Sequence, residues 1–159
     1  MGSRSHVFTP WLLSNAQHLG EALGMELELT GAEHPVGSFS LDLIGRDLST
    51  GERVIVENQL EKTDHGHLGQ LLTYAAGVED VTNIVWVAPT FQPEHRAALD
   101  WLNTRTDEST RFFGVEVSAV RISGSPYAPL FRLISQPNDW QKTIKSASQP
   151  SQGLSSRLK

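Results

Sequence analysis

Residues 41–59 read LDLIGRDLSTGERVIVENQ. Apolar and polar residues alternate on both sides of Ser49–Thr50–Gly51, a turn signal between two runs that carry the two-residue period of strands. With Ser49–Thr50 at the tip of a hairpin, facing residues have numbers that sum to 99, and Asp42 falls opposite Glu57. Paired positions share a face of the sheet. Gln59, two residues beyond Glu57, projects to that same face. Leu41, Leu43, Val54 and Val56 fill the other face, which therefore belongs to a core. Ile44 and Ile55 lie on the Asp42 face, so that face is not plain solvated surface either.

Two carboxylates opposed across a strand pair repel one another. Such a pair is kept where water solvates it, where a cation sits between the groups, or where they share a proton. A lone carboxylate is ordinarily a surface group, but the apolar neighbours on both faces argue against that reading here. Hard oxygen donors of this kind suit Mg²⁺ or Mn²⁺, which keep waters and bind phosphate oxygens.

Upstream, Thr9 is a good N-cap and Pro10 suits a first helical position. Leu12, Ala16, Leu19 and Leu23 then recur at helical spacing, and Gly24 is a stop signal. Residues 25–30 alternate apolar with acidic residues and predict a half-exposed strand, while 31–37, with Pro35 and two glycines, predict a loop. Strands are expected at 38–47 and 53–59. Downstream, Asp64 caps a helix that ends at Gly77. Asn83–Ala88 is a nearly continuous apolar strand of the kind covered on both faces. A helix over 90–103 and strands at 111–122 and 130–134 complete the order α-β-β-β-α-β-α-β-β. A meander followed by crossover helices predicts an α/β fold, a mixed central sheet with flanking helices on both faces.

The bulk properties suit one domain with its own core, expected over 8–135. Residues 136–159 are rich in Ser, Gln, Pro and Lys and read as a disordered tail or a linker to a partner domain or protein. The chain has no cysteine, which excludes disulfides and thiolate metal sites. No apolar run reaches the length of a membrane span and residues 1–6 form no secretory core, so a cytoplasmic protein without membrane contact is expected. The formal net charge is −5, unlike a protein that coats nucleic acid non-specifically. It is unevenly spread: Lys142, Lys145, Arg157 and Lys159 against Asp139 make the tail +3 and leave the body at −8. A carboxylate-rich metal site subtracts charge that its cation restores.

The helix after Asp64 carries two stripes. Leu68, Leu71, Leu72 and Ala75 form an apolar one, and His67, Gln70 and Tyr74 form a polar one beside it. Asp42, fourteen residues, then Glu57–Asn58–Gln59 resembles the D…(D/E)XK signature of PD-(D/E)XK, restriction-endonuclease-like nucleases. Residues 70–74, QLLTY, resemble the QxxxY motif of RecB-type members, and the run 56–74 is similar to a bacterial family of uncharacterised domains assigned to that fold. The resemblance covers roughly residues 8–140 when the order of elements is included.

It implies that Asp42 and Glu57 ligate Mg²⁺ (or Mn²⁺), with the main-chain carbonyl of Asn58 completing the protein's share of the shell. Gln59 stands at the position of the lysine that orients the attacking water. Gln70 and Tyr74 would approach the nucleic-acid backbone or support the metal shell. The activity implied is a Mg-dependent nuclease acting on DNA, in restriction, repair or phage defence. The sequence departs from the pattern in three ways. Leu41 replaces the proline before the first aspartate, and Gln59 lacks the lysine's charge, with Lys62 a displaced substitute. Glu21 is out of phase for the acidic role on the first helix. The competing reading is a catalytically weakened nucleic-acid-binding or assembly domain. A third is a zinc site from Asp64, His65 and His67, although residues at i and i+2 do not share a helix face. The alternating strand 111–122 offers an edge through which a homodimer could pair.

Overall fold

The computed structural model describes residues 12–36, 39–78 and 80–138, and for 31–36, 39–42 and 81 it describes the backbone only. The expected tail lies largely outside the described residues, as do Thr9 and Pro10. Helical backbone over 12–14 is interrupted by a turn at Asn15, and α1 spans Ala16–Leu23. Leu12, Leu19 and Leu23 are buried, as their spacing predicts. Gly24 ends α1 with φ +74°, a left-handed conformation that costs a residue with a Cβ.

Six strands follow: β1 (Leu27–Val36), β2 (Phe39–Asp47), β3 (Glu52–Asn58), β4 (Val81–Ala88), β5 (Arg111–Val120) and β6 (Ala128–Ser135). Helix α2 (His65–Gly77) joins β3 to β4, and α3 (Pro93–Arg105) joins β4 to β5. The strands lie in one sheet in the order β1-β2-β3-β4-β5-β6. The β3–β4 and β4–β5 pairs are parallel; the other three are antiparallel. This is the predicted order and the predicted mixed sheet. The β2–β3 register pairs Leu43 with Val56, Ile44 with Ile55 and Arg46 with Arg53, and each pair of numbers sums to 99.

Two expectations are corrected. Residues 31–36 are not a loop: β1 continues through them, with a register shift between Thr30 and Ala32. Pro35 is tolerated because β1 is an outer strand, where a missing N–H costs no interior ladder bond. Strand β5 is not an edge, because β4 and β6 flank it. Over Gly114–Glu116 both of its sides are paired. Where β1 crosses β2, a Cβ at Gly45 would lie 2.0 Å from the carbonyl oxygen of Glu28, so only glycine allows the approach.

The sheet buries both faces. On one, α1 covers Leu43, Val54, Val56, Val85, Val87 and Phe113. On the other, α2 and α3 cover Ile55, Ile84, Trp86 and Phe112. Trp86 and Phe113 are fully enclosed, and each such side chain contributes about 1.5–3 kcal/mol by leaving water. The two parallel crossovers share one face, so the carboxyl ends of β3 and β4 open beside the N-termini of α2 and α3.

Candidate functional site

Helix α2 meets the sheet through Leu71 and Tyr74, and Val78, the C-cap that follows it, is buried in the same core. The predicted apolar stripe is therefore rotated. Leu68 and Ala75 are partly buried at its margin, and Leu72 is exposed. Tyr74 is buried beside Ile55 and Trp86 in the core on this face. Gln70 is half-buried. Of the predicted polar stripe, His67 is the member that turns toward the end of β3.

Glu57 occupies the penultimate position of β3 and is only 3% exposed. It pairs in register with Trp86 on β4. Its Oε2 lies 3.9 Å from Nε2 of His67. The same sum of 99, carried one step past Leu43 and Val56, reaches Asp42 and Glu57; Asp42 is described by its backbone only, within β2. Asn58 follows Glu57 and is also buried.

His67 is itself oriented. Oδ1 of Asp64, the N-cap of α2, accepts hydrogen bonds from the main-chain N–H and from Nδ1 of His67, both at 2.8 Å. A carboxylate only accepts, so Nδ1 carries a proton, and Nε2 is the ring nitrogen left facing Glu57. Burial alone pulls the Asp64 carboxyl upward, but these two hydrogen bonds and the charges of His67 and His95 hold it below the ordinary carboxylate range.

Gln59 is 2% exposed and both ends of its amide are engaged within the fold. Its oxygen accepts from the Trp86 indole N–H at 3.0 Å, and its nitrogen donates to the Lys62 carbonyl at 2.8 Å. Its main-chain N–H donates to the Val87 carbonyl at 2.8 Å. The glutamine thus ties the end of β3 to β4 and to the loop leading to α2.

A second cluster closes that loop. The Thr63 hydroxyl accepts from the Gln92 N–H and contacts Nδ1 of His95 at 2.7 Å, and Nε2 of His95 contacts Nδ1 of His65 at 2.7 Å. The loops after β3 and after β4 are clamped together by these bonds and by the bond from the Thr63 N–H to the Thr90 carbonyl. Burial and then the charge of His65 push the His95 imidazole below its ordinary value, against smaller opposing pulls from Glu94 and Asp64. Nothing local in the sequence marks His95, because its partners are about 30 residues away. The Asp64–His67 spacing of three on a helix was readable, as a cap and a weak histidine signal.

Among the described residues, no three of His, Asp and Glu converge closely enough to hold a metal ion. The zinc reading of Asp64, His65 and His67 is thereby overturned: His65 turns to His95 while His67 turns to Asp64 and Glu57. Among the same residues no helix is long and apolar enough to cross a membrane.

No family model matches the sequence, and no curated protein matches it. Two solved structures are similar to the fold. One is the crystal structure of a repair endonuclease from Pyrococcus abyssi, at TM-score 0.51 and 20% identity over 59% of this chain and 41% of that one. The other is an EndoMS-dsDNA2 complex, at TM-score 0.49 and 20% identity over 69% of this chain and 43% of that one. The chain spans about two-fifths of the length of each. A mixed six-stranded sheet with α1 on one face and two crossover helices on the other gives this chain the restriction-endonuclease-like fold.

Proposed function

We propose that this chain is a divalent-metal-dependent phosphodiesterase that cuts DNA, with Asp42 and Glu57 as the metal-binding carboxylates. The observation that carries the reading is Glu57, a carboxylate buried at the carboxyl end of β3 in a restriction-endonuclease-like sheet. Ligands of open α/β sheets bind outside the carboxyl ends of the strands. The β2–β3 ladder ends at Leu43–Val56, and extending its register by one step would set Asp42 opposite Glu57. The likeness to a repair endonuclease supports DNA as the substrate and repair as one setting, beside restriction and phage defence.

The donor set fits a hard cation: two carboxylates and the main-chain carbonyl of Asn58 are oxygen donors of the kind Mg²⁺ and Mn²⁺ take. A bound cation would acidify a water and stabilise charge on the scissile phosphate. The protein's own contributions are separable from that chemistry. Burial holds Glu57 in one position. Gln59 fixes the strand end and the following loop. Tyr74 supports α2 from below, so contact with a DNA backbone falls to Gln70 and its exposed neighbours on the helix.

The test is titration of Mn²⁺ and Mg²⁺ into the wild type and an Asp42→Ala/Glu57→Ala variant by calorimetry, with cleavage of plasmid and single-stranded DNA measured on the same samples. Metal binding and cleavage that both vanish in the variant are the expected result. A second reading, a binding or assembly domain with weakened chemistry, is favoured by the engagement of Gln59 within the fold. Metal binding without cleavage would select it, and absence of metal binding even with DNA present would end the phosphodiesterase reading.

A further inference from the structure

The first turn of α2 brings an imidazole to Glu57 in a prepared state. Nδ1 of His67 is taken by Asp64 at 2.8 Å, and Nε2 faces the Glu57 carboxylate at 3.9 Å. That distance is too long for a hydrogen bond. It lies within the span of two metal–ligand bonds of about 2.1 Å each. A histidine whose outer nitrogen is held by a carboxylate is the usual arrangement behind a metal-ligating imidazole, because the carboxylate fixes the tautomer and raises the basicity of the other nitrogen. The side chain of His67 is one-third exposed, so it is not a packed core histidine.

We propose that His67, oriented by Asp64, is a nitrogen ligand of the cation held at Glu57, and that it biases the site toward Mn²⁺ over Mg²⁺. The inference rests on the reading that Glu57 holds a divalent cation. Mg²⁺ takes oxygen donors and gives up its waters reluctantly, whereas Mn²⁺ and later first-row ions gain more from an imidazole nitrogen. With Asp42 and Glu57 alone the donor set is all oxygen and suits either ion. Adding His67 makes it mixed, and the preference shifts.

The experiment loads the full chain with Mn²⁺ alone and reads nitrogen coordination by pulsed electron paramagnetic resonance, with affinities for Mn²⁺ and Mg²⁺ from calorimetry. The wild type should show modulation from a coordinated imidazole nitrogen, and labelling the histidines with ¹⁵N should change it without any substitution. His67→Gln should abolish the modulation and weaken Mn²⁺ binding about 10–100-fold, with a smaller change for Mg²⁺. Asp64→Ala should weaken Mn²⁺ binding by less. Mn²⁺ that binds in a Glu57-dependent way without nitrogen modulation, or with modulation that survives His67→Gln, would overturn the role of His67 and leave the Glu57 centre standing. Mn²⁺ binding indifferent to Glu57→Gln would overturn both.

Discussion

Two histidine clusters hang from the loop between β3 and α2, and they differ in what is left over. In Thr63–His95–His65, His95 is 3% exposed and both of its ring nitrogens are used inside the fold. In Glu57–His67–Asp64, one nitrogen of His67 is fixed and the other is turned to a buried carboxylate across a gap. The first cluster joins two loops and is a structural clamp. The second orients a donor without consuming it. His65 and His67, two positions apart in sequence, are thus given different partners by the tertiary structure.

The sharpest way to break this contrast is Glu57→Gln. It keeps the shape of the side chain and removes its charge, so under the proposed function DNA cleavage should fall to background. Stability without metal should hold or rise, because an ionised carboxylate in a buried position is costly. Activity and melting temperature measured on one preparation check both halves; a variant that unfolds would make Glu57 a structural residue. His95→Ala should do the reverse. Loss of a buried ring and of its bonds to Thr63 and His65 should cost about 2–4 kcal/mol in urea denaturation, while Mn²⁺ affinity of the folded protein stays within a factor of about 3, roughly half of a tenfold step on the free-energy scale.

Gln59→Lys tests where the signature's third position went. If Gln59 is a tether, lysine there should cost about 1–3 kcal/mol by leaving the buried Trp86 N–H without an acceptor, with no gain in cleavage rate. A rise in rate would return Gln59 to the chemistry. The smallest effect is the pH dependence of the clamp. His95 binds its proton less readily when folded, so the unfolded chain takes up the proton first as pH falls. Its contribution is complete above its ordinary value of 6.5 and is lost as pH falls through the lowered folded value. One proton gives a slope of at most about 1.4 kcal/mol per pH unit. Denaturation curves between neutral and mildly acid pH should show a shallower slope in His95→Gln than in the wild type.

The sequence by itself determined the order of the elements, the two-faced character of the sheet and the β2–β3 register. Period and turn chemistry are local: with the tip at Ser49–Thr50, alternation gives the pairing that keeps Val54 and Val56 on the same face as Leu43. It also marked Glu57 and the cap at Asp64. Three things came only with the tertiary structure. The sheet surface, not the helix's own stripe, selected Leu71 and Tyr74 as the buried side of α2, and left Leu72 outside. Strand order decided that Pro35 lies in an outer strand and that β5 lies inside the sheet. Contacts across about 30 residues joined Gln59 to Trp86 and His95 to Thr63 and His65. Local pattern encodes period and register because both depend on neighbouring residues. Which polar groups are spent on the fold and which remain for a ligand depends on partners that only folding brings together.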